Sequence, residues 1–167
     1  MADFGGEFRI NKAKNAKIGA EYQYTSGDKS NTGDNNEGWN ELLEGYSWGE
    51  TADYFVDGGN VQGIKVTGTY NVREDVTLSA LYSYMLKVQN SAADPTYLTG
   101  WNGNQYNVSN DSSEKELGQG FDLGANYAYT EDVNFGVVDS YFFPGQYFTN
   151  KNSEVASSVR AYATVNF

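Results

Sequence analysis

The sequence contains no cysteine and no histidine, and these two absences exclude several kinds of chemistry. Without cysteine there is no disulfide and no thiolate nucleophile, and without either residue no His/Cys metal site can form. The chain also lacks any run approaching the ~18 consecutive apolar residues from which a membrane-spanning helix is recognised. Any membrane crossing would therefore have to be made by β-strands.

Basic residues are scarce relative to acidic ones, which gives a net charge of −11 and a sequence pI of about 4.3. This balance argues against a nucleic-acid partner, because nucleic acids are bound through basic patches. No nucleophile elbow, phosphate-binding loop or metalloprotease motif is present. The many carboxylates fall in loops, where solvation is their ordinary explanation. We predict no enzyme activity and no catalytic residues.

What the chain does have is 14 tyrosines, 19 glycines and an alternation of mostly apolar with mostly polar positions in several long stretches. Residues 76–89 form the cleanest stretch, and residues 154–167 form the last one. Alternation with a period of two places successive side chains on opposite faces of a strand. One face is mostly apolar and carries tyrosines, as in the aromatic girdles of membrane barrels. The girdle tyrosines are Tyr22, Tyr24, Tyr70, Tyr82, Tyr84, Tyr127 and Tyr129.

The connections between these stretches are sorted by length. Short turns at about 11–15, 71–75 and 130–132 alternate with long loops at about 26–59, 90–117 and 144–153. Outer-membrane barrels have this asymmetry, with short periplasmic turns and long extracellular loops. We therefore predict an all-β fold, an antiparallel up-and-down transmembrane β-barrel with about seven or eight strands in this chain. A soluble secreted β-protein is the competing interpretation.

The strand count leaves the extent of the barrel open. Seven strands are evident, whereas a complete single-chain bacterial barrel has an even number. Either an eighth strand lies within residues 26–59, or residues 1–167 are the C-terminal segment of a larger barrel. The sequence also lacks a secretory signal peptide, so we expect a mature form or a piece of a longer chain. We favour the larger barrel over a single small domain.

Three stretches carry a family resemblance. They are Gly19-Ala-Glu-Tyr-Gln-Tyr-Thr-Ser-Gly-Asp28, residues 60–84, and Glu116-Leu-Gly-Gln-Gly-Phe-Asp-Leu-Gly-Ala-Asn-Tyr127 followed by Tyr141-Phe-Phe-Pro-Gly145. Together they resemble the C-terminal part of alginate-export-like outer-membrane porins. The resemblance implies a bacterial outer-membrane barrel that transports hydrophilic solutes. The chain departs from the family pattern at Gly120, where relatives usually carry Glu, and at Asp139, where they have an aromatic residue.

Seven charged residues fall on the polar faces of the predicted strands, and we predict that they line the lumen. They are Glu7, Arg9, Glu21, Lys65, Lys87, Asp122 and Arg160. In a small barrel they would pair across a filled interior, whereas in a wide barrel they would set the selectivity of a pore. Their mixed charge differs from the basic lumen that export of an anionic polysaccharide would favour. Asp139 falls on the lipid face, so either the strand register breaks there or Asp139 lies above the membrane.

Three further groups of residues suggest roles outside the lumen. Asp28, Asp34 and Glu37 form an acidic loop that could bind cations, although the spacing is not that of an EF-hand. We predict no cofactor and no dedicated metal site, with loosely bound calcium as an alternative. Trp39, Trp48 and Trp101 lie in long loops and are candidates for ligand contact. Val165 and the terminal Phe167 resemble the closing signal that the barrel assembly machinery reads.

These observations predict a porin or exporter-like channel for passive diffusion of small or polymeric hydrophilic solutes, ions included, in the Gram-negative outer membrane. The expected partners are the lipid bilayer, lipopolysaccharide, the assembly machinery, and other chains that complete the barrel or an oligomer. The acidic loops predict a preference for cations or neutral solutes at low salt. The alternative is a small closed outer-membrane barrel with a structural role, or one that binds a partner through its acidic loops.

Overall fold

The computed structural model describes residues 1–27, 38–39, 46–56, 59–90, 97–99, 105–107, 113–148 and 153–167. Within these ranges the chain forms nine strands and one short 3-10 helix at Ala52–Tyr54. The strands are β1 (Ala2–Asn11), β2 (Ala16–Tyr24), β3 (Val61–Arg73), β4 (Val76–Lys87), β5 (Tyr97–Thr99), β6 (Gln105–Asn107), β7 (Glu116–Ala128), β8 (Val133–Pro144) and β9 (Ala156–Val165). In these ranges no helix is long and apolar enough to cross a membrane.

Seven of the strands form one sheet in the order β1-β2-β3-β4-β7-β8-β9, and every neighbouring pair is antiparallel. The predicted all-β, up-and-down antiparallel arrangement is therefore confirmed. The sheet is open, with β1 and β9 at its two edges. Strands β5 and β6 form a separate two-stranded sheet within the stretch predicted to be a long loop at 90–117.

The long strands reach the length that a membrane crossing requires. Strands β3 and β7 have 13 residues and β4 and β8 have 12. A tilted transmembrane strand needs about 9–11 residues, so each of these strands is long enough to extend past the apolar layer. Strand β3 continues to Arg73, which shortens the turn predicted at 71–75 to Glu74 and Asp75. The short connections lie at one end of the sheet, the turn end, and the long ones at the other, the loop end.

Side chains that bond to nearby backbone stabilise the short turns. Asn11 Oδ1 accepts hydrogen bonds from the amides of Ala13 at 2.9 Å and Lys14 at 3.2 Å. At the turn between β7 and β8, Thr130 Oγ1 accepts one from the amide of Val133 at 3.0 Å. Asx and Ser/Thr turns of this kind fix a tight reversal without help from distant residues. Such turns make the two strands that they connect neighbours in the sheet.

The outer face of the sheet is apolar and exposed. Phe4 is 83% exposed and Val159 is 72% exposed, although both are large apolar residues. Other exposed members of this face are Phe8, Ile18, Tyr22, Ile64, Tyr70, Leu78, Tyr82, Leu123, Tyr127, Phe135, Val137, Phe143 and Val165. A contiguous apolar face of this size marks contact with lipid or protein rather than with water.

The buried core lies on the opposite, inner face, toward the loop end. Its members are Trp48, Ala52, Val56, Val61, Met85, Leu117, Phe142, Tyr147 and Phe148. Three of them come from residues 46–56, which we call the inner segment, and two come from residues 145–148 after β8. The core therefore forms where two connections fold against the polar side of the sheet.

Candidate functional site

The inner segment lies against the inner face because the sheet leaves room for it. Trp48 is only 2% exposed and packs over Gly63 of β3. A Cβ atom at Gly63 would lie 2.9 Å from two ring carbons of Trp48, so a larger residue would displace the indole. Gly49 has a φ of +137°, and a Cβ there would lie 3.2 Å from both Asp122 carboxylate oxygens. Glycine at these two positions permits the close approach.

Backbone groups of the inner segment bind short polar side chains from three strands. Ser83 Oγ of β4 donates to the carbonyl of Trp48 at 2.6 Å. The amide of Glu50 donates to Asp122 Oδ2 of β7 at 2.9 Å, and the amide of Thr51 donates to Ser140 Oγ of β8 at 2.9 Å. Because Ser83 and Ser140 are buried, losing such a bond would leave a buried polar group unsatisfied.

A fourth strand also contacts the inner segment, through side chains. The Thr51 and Ser158 hydroxyl oxygens lie 2.8 Å apart, and the Arg160 guanidinium donates to the Glu50 carboxylate. Ser158 and Arg160 belong to β9, and Ser140 also donates a hydrogen bond to Asp122. The inner segment therefore connects strands β4, β7, β8 and β9 across the inner face.

The inner segment also has its own internal hydrogen bonds. Asp53 accepts hydrogen bonds from the Trp48 amide at 2.7 Å and the Ser47 hydroxyl at 2.6 Å. The Phe55 amide donates to the Ala52 carbonyl at 2.9 Å, which closes the 3-10 turn. The Phe55 ring stacks on Phe142 of β8 with centroids 4.9 Å apart. These contacts give the inner segment a defined shape as well as a defined position.

Lys65 has three partners on the inner face. Its ammonium lies 3.0 Å from Glu21 Oε2, donates to the Ser47 carbonyl at 3.2 Å and lies 4.0 Å from the Tyr46 ring centroid. Burial raises the pKa of the Tyr46 phenol far above its ordinary value, and the Glu21 charge raises it further. Tyr46 therefore stays neutral at physiological pH and presents an aromatic face to the cation.

The structure places all seven predicted lumen residues on the inner face, and it pairs several of them. Glu21 pairs with Lys65 on the neighbouring strand, and Glu7 pairs with Lys17 at 3.0 Å. Asp122 and Arg160 bind the inner segment, and Lys87 lies 4.5 Å from the Tyr147 ring centroid. Arg9 shares this face at the turn end of β1. That the inner face lines a lumen stays a prediction.

Sequence reasoning missed the groups that hold the inner segment. Glu50 and Thr51 lie in a stretch without periodicity, and Ser83, Ser140 and Ser158 are ordinary strand serines in the sequence. A weak signal exists, because Asp122, Ser140 and Ser158 are direct neighbours across β7, β8 and β9. Short polar side chains in register across adjacent strands leave space on a face for another segment to pack.

The predictions for the acidic loop, the tryptophans and the C-terminal residues have different outcomes. Asp28, Asp34, Glu37 and Trp101 lie outside the described residues. The interpretation of Trp48 as a candidate for ligand contact is wrong, because its indole is buried against Gly63 of β3. Trp39 is 39% exposed. Val165 lies on the outer face and Phe167 is exposed beyond β9, and their role as a closing signal stays a prediction.

Polar groups on the outer face are bound by tyrosines. The Tyr22 hydroxyl donates to Gln62 at 3.1 Å, and the Tyr82 hydroxyl donates to Gln119 at 2.9 Å. Asp139 accepts a hydrogen bond from the Tyr141 hydroxyl at 3.0 Å. Strand register is continuous through Asp139, which pairs with Leu123 and Val159, so no register break accompanies this carboxylate. Tyrosines with one apolar and one polar end suit a membrane interface.

Long antiparallel strands, an exposed apolar face with tyrosines, a polar inner face and length-sorted connections define a transmembrane β-barrel wall. The match to a protein-family model agrees with this class. Residues 2–162 match the model described as alginate export, and the chain belongs to that family, an outer-membrane β-barrel transport family. No curated protein matches this chain.

Proposed function

We propose that this chain forms part of the wall of a channel in the bacterial outer membrane, through which hydrophilic solutes cross by passive diffusion. The observation that carries the proposal is the contrast between the two faces of one sheet. The outer face exposes aromatic and aliphatic side chains, whereas the inner face presents carboxylates, lysines, arginines and hydroxyls. Lipid on one side and water on the other would satisfy both faces.

A channel also requires that the wall be closed. Six antiparallel pairings relate β1 to β9, so these edge strands run in the same direction. Open sheet edges are not tolerated within lipid, because each unpaired backbone group costs several kcal/mol there. Antiparallel closure therefore needs an odd number of additional strands between β9 and β1. We propose that such strands, from the same polypeptide or another chain, complete the barrel.

The inner segment would narrow the path through this barrel. It reaches Asp122 at the middle of β7, Ser140 of β8 and Ser158 near the start of β9. A connection that folds to this depth occupies space that would otherwise be lumen. The solutes that pass would be limited in width by the inner segment and would be selected by the charges beside it.

The buried core favours a second candidate function. Nine mostly apolar residues fill the loop end of the inner face, as in a barrel whose interior is packed rather than open. A sealed outer-membrane barrel with a structural or partner-binding role would have this feature. Its acidic loops would then be the binding surface.

Single-channel recording separates the two candidates. The purified chain would be refolded and added to a planar lipid bilayer under a KCl gradient. Stable conductance steps are expected for a channel, with a reversal potential that reports the ion preference. A folded, heat-modifiable protein that never conducts would contradict the channel function and would support the sealed barrel.

A further inference from the structure

We propose that a groove on the outer face binds an anionic phospholipid, with an acyl chain in the groove and the headgroup at the lysines of the turn between β1 and β2. The proposal rests on the membrane location of the proposed function, but it does not require that the channel conduct. Two observations carry it, which are the shape of the outer face and the distribution of charge along the turn end.

The groove, which we call the outer groove, has a volume of about 560 Å³ and lies over β2, β3, β4 and β7. Gly68 and Ala80 form its floor, and they are direct neighbours across β3 and β4. A Cβ atom at Gly68 would meet only the Lys17 carbonyl oxygen at 3.9 Å, so the space above this glycine is open. Larger apolar side chains surround the floor, namely Ile18, Val66, Tyr70, Leu78, Tyr82 and Leu123.

An acyl chain is the ligand that suits the outer groove. The outward-facing side chains around it are aliphatic or aromatic, and in a membrane this face of the sheet meets lipid chains. The groove extends to Ile10 near the end of β1 and to Ala16 at the start of β2. These residues lie on either side of the turn between β1 and β2. An acyl chain in the groove would therefore place its headgroup beside this turn.

The turn between β1 and β2 is basic and is held against the sheet. It carries Lys12 and Lys14, and both are exposed. The Lys14 carbonyl accepts a hydrogen bond from the Asn71 amide at 2.8 Å, and the Lys14 ammonium donates to the Val72 carbonyl at 3.1 Å. Lys14 is thus fixed at the end of β3, next to Tyr70 of the outer groove. Because an ammonium has three N–H donors, this one bond leaves donors for a phosphate.

The other two short turns carry the opposite charge. Glu74 and Asp75 lie between β3 and β4, where Arg73 pairs with Asp75, and Glu131 and Asp132 lie between β7 and β8. The chain as a whole has a net charge of −11. An anionic headgroup is therefore favoured beside the outer groove and disfavoured elsewhere along the turn end. Short turns of outer-membrane barrels face the periplasm, so the lipid would belong to the periplasmic leaflet.

Lipid in the outer groove can be detected with a tryptophan in place of Tyr70, which changes one exposed aromatic residue for another. The full chain would be refolded in phosphatidylcholine vesicles that contain either brominated phosphatidylglycerol or brominated phosphatidylcholine, since bromine quenches tryptophan on contact. The signal of the chain without this substitution, which has three tryptophans, is subtracted. Phosphatidylglycerol should bind at least about threefold more tightly than phosphatidylcholine at low salt. The preference should vanish near about 1 M salt.

A second reporter controls for the position on the outer face. Phe135→Trp lies on the same face near the acidic turn between β7 and β8, and it should show no preference for phosphatidylglycerol. Equal preference at both reporters, or no preference at Tyr70→Trp, would overturn the proposal. So would an absence of quenching by either lipid at Tyr70→Trp, since another segment or protein would then cover the groove.

Lys14→Gln tests the headgroup contact, and Lys115→Gln is its control. Each ammonium donates to a backbone carbonyl, at 3.1 Å for Lys14 and 3.2 Å for Lys115, but Lys115 lies at the loop end. The two variants therefore change the net charge equally and remove the same kind of contact. In the Tyr70→Trp chain, Lys14→Gln should at least halve the preference for phosphatidylglycerol, and adding Lys12→Gln should abolish it. Equal preferences in Lys14→Gln and Lys115→Gln would contradict a headgroup site at this turn.

Gly68→Leu tests the outer groove itself, and Gly6→Leu is its control. A Cβ atom at Gly6 would meet nothing within 4 Å, so both positions have room for a side chain. Gly6 lies on the outer face of β1 and outside the outer groove. Gly68→Leu should fill the floor and at least halve the preference for phosphatidylglycerol although both lysines remain, whereas Gly6→Leu should leave it unchanged. Equal preferences would show that the lysines act without the groove, and the inference would fail.

Folding and conductance are read separately from lipid binding. Heat-modifiable migration verifies that each variant has refolded, since none of them removes a buried apolar contact. A chain that never conducts but prefers phosphatidylglycerol at Tyr70→Trp would contradict the channel and support the lipid site. A chain that conducts without this preference would support the channel and overturn the lipid site.

Discussion

The two faces of the sheet differ in what covers their apolar groups. On the outer face, large apolar side chains alternate along every long strand and remain exposed. On the inner face the strand residues are mostly polar, yet the buried core lies there, because the inner segment and residues 145–148 bring their own apolar side chains to it. The core is therefore completed by connections, which pack against the strand residues Val61, Met85, Leu117 and Phe142, whereas the apolar residues of the outer face are left for lipid.

Polar groups differ between the faces as well. On the inner face, hydroxyls and carboxylates bind backbone groups of the inner segment, as Ser83 binds the Trp48 carbonyl. On the outer face, the few polar side chains are bound by tyrosine hydroxyls, as Gln119 is bound by Tyr82. On the inner face, polar groups therefore bind the inner segment to the sheet. On the outer face, polar side chains form hydrogen bonds with tyrosines of the same face, so that they can lie beside lipid.

Truncating one phenylalanine on each face should give the largest difference in the free energy of unfolding between the two faces. Phe142 is fully buried against Phe55 and Phe148, whereas its neighbour Phe143 is on the outer face and 43% exposed. Phe142→Ala should lower the free energy of unfolding by about 3–5 kcal/mol, because it leaves a cavity. Phe143→Ala should cost about 1–2 kcal/mol, because lipid can fill the space. Urea unfolding from phospholipid vesicles measures both, and equal losses would contradict a core on the inner face.

Placing an arginine on each face of one strand should have the next largest effect. Leu123 points outward from β7 between Ala80 and Asp139, and Asn126 points inward from the same strand. Leu123→Arg should lower the free energy of unfolding by about 2–4 kcal/mol, as a cation near the membrane midplane does. Asn126→Arg should change it by less than about 1 kcal/mol. The same urea titration decides this, and a larger cost at Asn126 would assign lipid to the opposite face.

The smallest effect on stability is expected in the turn between β3 and β4, which belongs to neither face of the sheet. The hydrogen bond from Arg73, with Nε 2.9 Å from Asp75 Oδ1, lowers the pKa of Asp75 below its ordinary value of 3.8. The stabilisation by this ion pair is thus complete above pH 3.8 and is lost as the pH falls through the lower pKa of the folded state.

Substituting Arg73→Gln should return the Asp75 pKa to its ordinary range, which an NMR titration of the carboxyl carbon in detergent micelles would follow. Arg160→Gln serves as the control, since it removes the same charge from the inner face. An unchanged Asp75 titration in Arg73→Gln would show that water screens the pair completely. That result would mean that the ion pair in the turn differs from those of the inner face in being fully screened by water.

Much of the sheet could be predicted from the sequence because its signals are local. The alternation over residues 76–89 matches β4 and separates Leu78 from Ser79 on opposite faces. The short turns contain their own hydrogen-bonding residues, such as Asn11 and Thr130, within three residues of the amides they bind. Asp139 was correctly placed on the outer face for the same reason, since register follows from counting along a strand.

The second long loop could not be predicted in detail. Residues 97–99 and 105–107 form a short hairpin within the stretch interpreted as an irregular loop at 90–117. Strands of three residues carry too few positions for alternation to be recognised. The described part of residues 26–59 contains a 3-10 turn at Ala52–Tyr54 and no strand, so within that part no eighth strand completes the sheet.

By itself, the sequence determined the seven long strands, their two faces and their family resemblance, because backbone geometry makes every second residue share a face whatever lies around it. Only the tertiary structure decided where the inner segment lies. Glu50 meets Arg160 across 110 residues of sequence, and Thr51 meets Ser158 across 107. No local pattern encodes such contacts, because they join side chains of a connection without periodicity to side chains of a strand that is distant in the sequence.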